Sequence, residues 1–245
     1  MAFTLDVLGG HSPVIESVWQ ARSEQAGTFT SMAVSRCELV FTRQRGEVSV
    51  ILRGPETGAS IAACPADAEF LGITFRLGTV LSALPPERLV DRHARLPLST
   101  GQSFWLDDRA LPIPDAQDAG AFVEHLIRQR VLHFEPTIHT LVNEDLPDAD
   151  RSLRTVQRQF RQTTGLTHRL VKSIERARQA AALLEQGHGI ADVVHELDFS
   201  DQPHLTKALR RFVGRTPGQI LGNAWSHSAW LEEESFARSL ELAAD

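Results

Sequence analysis

Two stretches of this 245-residue chain carry side chains suited to reading the edges of base pairs. In Ser152-Leu-Arg-Thr-Val-Gln-Arg-Gln-Phe160, a helix would put Leu153, Val156 and Phe160 on one stripe and Arg154, Gln157, Arg158 and Arg161 on the other. Arginine can bond guanine O6 and N7 with two donors, and glutamine can do the same to adenine N6 and N7. In Asp201-Gln-Pro-His-Leu-Thr-Lys-Ala-Leu-Arg-Arg-Phe212, Leu205, Leu209 and Phe212 turn inward and Gln202, His204, Thr206, Lys207, Arg210 and Arg211 are left outside. Gln202, Thr206, Lys207 and Arg210 are the expected base readers, and His204 and Arg211 the expected phosphate contacts. Taken alone, a row of arginines reads first as a solvated helix face.

Such side chains need rigid supports. Ser152 can cap the first reader, and Thr163-Thr-Gly165 can stop it. A helix over 168–186 follows, with Leu170, Ile174, Ala177, Ala181 and Leu184 on one stripe. Nineteen residues at 1.5 Å each give roughly 28 Å, close to the separation of about 34 Å between successive major-groove faces. Arg176 and Arg178 on this rod are expected to be structural or phosphate contacts. Ile190, Val193, Val194 and Leu197 predict the packing helix of the second unit, Asp198-Phe-Ser200 its turn, and Ser200 its cap. Pro203 is tolerated in the first turn of the second reader.

These residues, in this order, resemble the AraC/XylS transcriptional regulators. The motifs are Ser152-x-Arg-Thr-x-Gln-Arg-x-Phe160, Thr164-Gly165-Leu166, Arg176-x-x-x-Ala180, Ile190-Ala-x-Val, Phe199-Ser-Asp-Gln-x-His-Leu-Thr206 and Gly214-x-Thr-Pro217. The resemblance implies two helix-turn-helix units bridged by a helix, joined to a variable sensing or dimerising domain that is cupin-like in many members. It also implies double-stranded DNA and RNA polymerase as partners, with a small-molecule effector and a homodimer as further expectations. The family's usual Gly-Phe at the second turn is Asp198-Phe199 here, and aspartate can take the left-handed backbone at some cost. The stretch before Ser152 does not read as a full helix and turn, so a helix over 137–144 is expected to stand in as the first unit's packing helix.

Charge is divided along the chain. Residues 1–146 hold 12 arginines and 18 acids, a net of -6; residues 147–223 hold 12 basic and 8 acidic residues, a net of +4; the tail is -4. Only the middle block is cationic, and nucleic-acid binding depends on such a local patch rather than on the total.

The N-terminal half reads as strands over 28–35, 37–44, 47–53, 60–63 and 69–77, punctuated by Gly46, Gly54-Pro55, Gly58 and Cys64-Pro65. That suits a small antiparallel barrel or sandwich. Its histidines, His11 and His93, have no close partner, so no metal or cofactor is expected there. Cys37 and Cys64 sit in strand-like surroundings and are expected to be reduced and buried, as in a cytoplasmic protein. A sensor whose N-terminal half does thiol or metal chemistry is the alternative to a non-catalytic regulator. Leu111-Pro-Ile-Pro-Asp115 reads as an extended linker, and a helix is expected over 118–134.

The expected organisation is therefore α+β: a β-rich domain over 1–112, linker and connecting helices over 113–145, a double helix-turn-helix domain over 146–223 and an amphipathic acidic tail over 224–245. No run of eighteen apolar residues is present, so no membrane partner is expected.

Overall fold

The computed structural model describes residues 3–9, 12–143 and 153–222. The expected cap at Ser152 and the expected tail lie outside these residues.

The N-terminal half is built on a six-stranded antiparallel sheet, in the order β1 (Phe3–Gly9), β2 (Ile15–Ser23), β7 (Ala68–Phe75), β4 (Glu38–Gln44), β5 (Glu47–Arg53), β9 (His93–Leu96). Strands β3 (Gly27–Ser31) and β6 (Ser60–Cys64) form a separate ribbon. The antiparallel character is as expected, but β1 and β9 are edges, so the sheet does not close into a barrel. Period-two alternation sends Val18, Leu39, Phe41, Val50, Leu52, Leu71 and Ile73 into one core. Helix α1 (Ala119–Arg128) joins that core with Phe122, Val123 and Leu126. The Phe41 ring meets Phe104 and Phe122 edge-on, at 5.6 and 6.2 Å.

The opposite face is buried too, with Trp19, Val40, Ile51 and Phe70 at 3% exposure or less. Trp19 lies over Gly72, where any Cβ would stand 1.8 Å from the indole. Its Nε1–H donates to Glu38 Oε1 at 2.8 Å, and Thr74 Oγ1 donates to the same oxygen at 2.8 Å. Arg53 Nη1 stands 3.8 Å from Glu38 Oε2, so the buried carboxylate has both donors and a counter-charge.

Two expectations change here. Leu111-Pro-Ile-Pro-Asp115 is extended, but Leu111 and Pro112 end a strand, β12 (Arg109–Pro112), paired to β11 (Ser103–Leu106), and Leu111 is buried. The hairpin turn uses Asp107 and Asp108 at φ 51° and 57°, the left-handed pair that tight hairpins require. The helix expected over 118–134 ends at Arg128. Arg130 turns left-handed at φ 57°, and Leu132–Phe134 becomes strand β13, paired with β8 (Thr79–Leu81).

The second half is helical: α2 (Pro136–Asn143), α3 (Leu153–Thr164), α4 (His168–Glu185), α5 (Ile190–Glu196), α6 (Gln202–Phe212) and α7 (Pro217–Gly222). Its core gathers Ile138, Leu141, Phe160, Leu166, Ile174, Leu184, Val193, Leu205 and Phe212. Met32, Ala33 and Leu77 from the β-rich half are part of the same core, so the two halves share buried surface.

Candidate nucleic-acid interface

Helix α3 exposes one face. Phe160 is fully buried, whereas Arg154, Gln157, Arg158 and Arg161 are all exposed. The helix ends as expected at Thr164-Gly165. Gly165 takes φ 76° and its N–H donates to Arg161 O at 2.8 Å, while the Thr164 hydroxyl donates to Phe160 O at 2.9 Å. The His168 ring meets Phe160 edge-on at 5.2 Å, and its Nε2 lies 2.7 Å from Leu141 O. A carbonyl only accepts, so Nε2 carries a proton and ties α2 to the start of α4. With Ile138 and Leu141 buried, α2 packs against α4.

Helix α4 is the rod. Thr167 caps it, its side chain accepting from Leu170 N at 3.3 Å. Val171, Ile174, Ala177, Ala180, Ala181 and Leu184 are buried, and eighteen residues give about 27 Å of length. Both α3 and α6 pack against it. Arg176 lies over the Phe199 ring at 4.6 Å and donates to Asp198 O at 3.4 Å; Arg178 donates to Ala33 O at 3.4 Å. These arginines hold structure together, one of the two roles expected of them.

The second unit turns at Asp198, which takes φ 53°, the left-handed conformation anticipated for it. Its helix cap is Asp201 rather than Ser200. Asp201 is extended and its Oδ1 accepts from His204 N at 2.7 Å, whereas Ser200 stands one residue too early and its Oγ meets His204 Nδ1 at 3.1 Å. Gln202, His204, Lys207, Arg210 and Arg211 are exposed, and Thr206 is half-buried. Gln202, Thr206, Lys207, Arg210 and Arg211 border one shallow, open depression.

Two of the predicted residues have a second engagement that the sequence does not reveal. His204 meets Phe199 edge-on at 5.3 Å, so its ring is part of the turn. Arg211 stacks on Phe212 at 4.9 Å and its Nε–H donates to Thr57 O at 3.4 Å, across to the β-rich half. The same seam includes two backbone bonds to the end of α6: Ala33 N–H to Phe212 O at 2.7 Å and Ala59 N–H to Arg211 O at 2.8 Å. These satisfy carbonyls that a helix end otherwise leaves without partners.

Glu175 of α4 anchors the seam from the other side. It accepts from Ser35 Oγ at 2.6 Å and from Arg36 Nη1 at 3.1 Å, and Arg36 Nε also pairs with Glu16 at 2.7 Å. Burial alone raises a carboxyl's pKa, but Arg36, Arg178 and the Ser35 hydrogen bond outweigh it, and Glu175 is held below the ordinary carboxylate range.

One of the two candidate thiols of the alternative chemistry is described in full. The Cys37 thiol is buried and pushed up to about 12 by desolvation, which keeps it protonated and unreactive. Among the described residues no three His, Cys, Asp or Glu side chains are placed to share a metal ion. No helix among them is long and apolar enough to cross a membrane.

Comparison with known proteins bears on the helical half. A family model described as a helix-turn-helix domain matches residues 148–223. The match covers the helical half from just before α3 to the end of α7. Similar chains include the HTH-type transcriptional regulators RipA of Corynebacterium glutamicum, 32% identical over 119 residues, and of Corynebacterium diphtheriae, 34% identical over 116. Each match takes in 46% of this chain and spans about a third of the relative's length, 34% and 33%. Among solved structures, ToxT from Vibrio cholerae overlays with a TM-score of 0.37 at 9% identity, over 91% of this chain and 98% of that one. The matched region takes in α3 to α7, with α4 between the helices that carry the two exposed faces.

Thr167, Arg169 and Ser173 on the outer side of α4, and Ser35, Arg36 and Thr57 in the β-rich half, join these contacts although no motif names them. A polar stripe at 169, 173 and 176 was there to be found at helical spacing. The cross-domain partners had no such signal.

Proposed function

We propose that the protein is a sequence-specific DNA-binding transcription regulator that acts by binding, not catalysis, and reads two neighbouring major-groove segments per chain. Arg154, Gln157, Arg158 and Arg161 serve the first segment, and α6 serves the second through Gln202, Thr206, Lys207 and Arg210. The observation that carries the reading is the pair of exposed cationic, amide-bearing faces on α3 and α6, both packed on one rod. The helix-turn-helix match, the regulator relatives and the resemblance of the motifs to AraC/XylS regulators support it. Control by a small ligand or by dimerisation through the β-rich half, contact with RNA polymerase and a cytoplasmic location belong to the same proposal, and the family resemblance supports them.

The test is selection of bound duplexes from random DNA by the full chain. Two short motifs should emerge, their centres about 10–10.5 base pairs apart. Failure of any sequence to be enriched at moderate salt, or enrichment that Arg158→Ala and Arg210→Ala both leave intact, overturns the reading.

A further inference from the structure

Helix α6 does not present a single outward face. Gln202, Thr206 and Arg210 form one stripe and His204, Lys207 and Arg211 another, roughly a third of a turn around the helix at 100° per residue. The second stripe lines a groove of about 450 Å³ whose other wall is α4, through Arg169, Ser173 and Arg176. No acidic side chain is among the described residues that line it. The larger cavity along the same helix, about 880 Å³, differs in this respect: Glu175, Glu196 and Asp198 line it beside its cations. The anionic groove occupant is further favoured by the start of α4, whose eighteen aligned peptides put partial positive charge at the Thr167 end.

Cations on two facing walls, with no carboxylate among the described lining residues, suit a chain of phosphates. We infer that the groove between α4 and α6 seats one phosphodiester backbone of the duplex. Lys207, Arg211 and Arg169 then neutralise phosphates. Base reading on α6 is left to Gln202, Thr206 and Arg210, so Lys207 moves out of the reading set. Arg176 contributes charge from a guanidinium already fixed over Phe199, and Arg211 from one tethered at Thr57. The inference rests on the DNA-binding reading above.

The experiment uses the full chain and a duplex recovered from the random-sequence selection. Arg169→Gln and Lys207→Gln each remove one charge from an exposed position. Each should lower the slope of log affinity against log salt by about 0.9. That is a loss of about eightfold in affinity at 0.1 M salt, vanishing near 1 M. Neither should change the enriched sequence, whereas the uncharged readers Gln202→Ala and Thr206→Ala should change it and leave the slope alone. Replacing single phosphates by neutral methylphosphonates should locate the seat: the position that weakens the wild type should not weaken Arg169→Gln further. Unchanged slopes in both charge variants, or a base preference altered by Lys207→Gln, overturn the seat while leaving DNA recognition standing. A wild-type chain that enriches nothing overturns both readings together.

Discussion

Both reader helices stop on a glycine at φ 76°, Gly165 after α3 and Gly214 after α6, and each glycine abuts the β-rich half. What they abut differs. A Cβ on Gly165 would lie 2.8 Å from the Pro86 carbonyl oxygen, 2.9 Å from its carbon and 2.8 Å from a Val90 methyl; one on Gly214 would meet the Thr30 methyl at 2.5 Å and Ala59 Cβ at 3.2 Å. The end of α6 is also joined to the β-rich half by backbone hydrogen bonds from Ala33 and Ala59, whereas the Thr164 hydroxyl serves the end of α3 from within its own helix. The first reader is wedged against the sheet domain and the second is stitched to it. A shift of the 30–60 region would therefore pull α6 through bonds, while the contacts of Gly165 with Pro86 and Val90 would carry a shift to α3 through packing.

The glycines give the largest test of that difference. Alanine at either site pays about 1–2 kcal/mol for the left-handed backbone and about 1–3 kcal/mol for the clash. Gly165→Ala should be the worse of the two in urea unfolding, because the Pro86 backbone cannot swing aside as the Thr30 side chain can. Equal costs, or a costlier Gly214→Ala, would show that wedge and stitch are not mechanically distinct.

Next in size is the effect on recognition. Arg158→Ala and Arg210→Ala should each cost about 1–3 kcal/mol at one base step, each in its own half-site. The readers sit on a rod about 27 Å long, so the double variant should be additive within about 0.5 kcal/mol. Competition binding against single-base variants of the selected duplex measures this. A larger coupling would mean that the two helices move as one body when either is disturbed.

The seam can also be loosened from the α4 side. Removing the Glu175 charge with Glu175→Gln should destabilise the chain near neutral pH by about 1.5–3 kcal/mol, the range for hydrogen bonds to a charged group. Because the folded carboxyl is held below its usual value, its contribution is complete above the unfolded pKa of about 4.3. It is lost as pH falls from there through the lower folded value. The gap between wild type and variant should thus close on acidification, as followed by denaturant midpoints across that window. A gap that stays constant to pH 3 would remove Glu175 from the seam's electrostatics.

Which of these features a sequence can announce depends on how local their causes are. Strands β4 and β5 follow from short apolar runs bounded by Gly and Pro turns, and both glycine stops follow from their own helices. Strands β1 and β2 are harder to see. A bulge between Ile15 and Ser17 breaks the period, and the neighbours Val18 and Trp19 are buried on opposite faces, so strict alternation holds only over Trp19 to Ser23. A helix running on to Phe134 fits the apolar spacing, but Arg130 reverses the backbone, and the pairing of Leu132 with Leu81 then decides for strand. The exposed arginines and glutamine of α3 were legible as a stripe. The tether of Arg211 to Thr57 and the bond from Ser35 to Glu175 join residues 154 and 140 apart in the chain, and no local pattern encodes them.

Asp198 supplies the smallest and sharpest contrast between the units. It holds φ 53° in an exposed turn, and its carbonyl accepts from Arg176, a bond any residue can offer. Glycine would keep that bond and release the left-handed strain, but it would also give the unfolded chain more freedom to lose. The two terms nearly cancel, so Asp198→Gly should stabilise by a few tenths of a kcal/mol, about 1 at most, with DNA affinity unchanged. Should it destabilise instead, the aspartate side chain itself must contribute to the turn. The second unit would then depend on a polar group where simple backbone relief is expected.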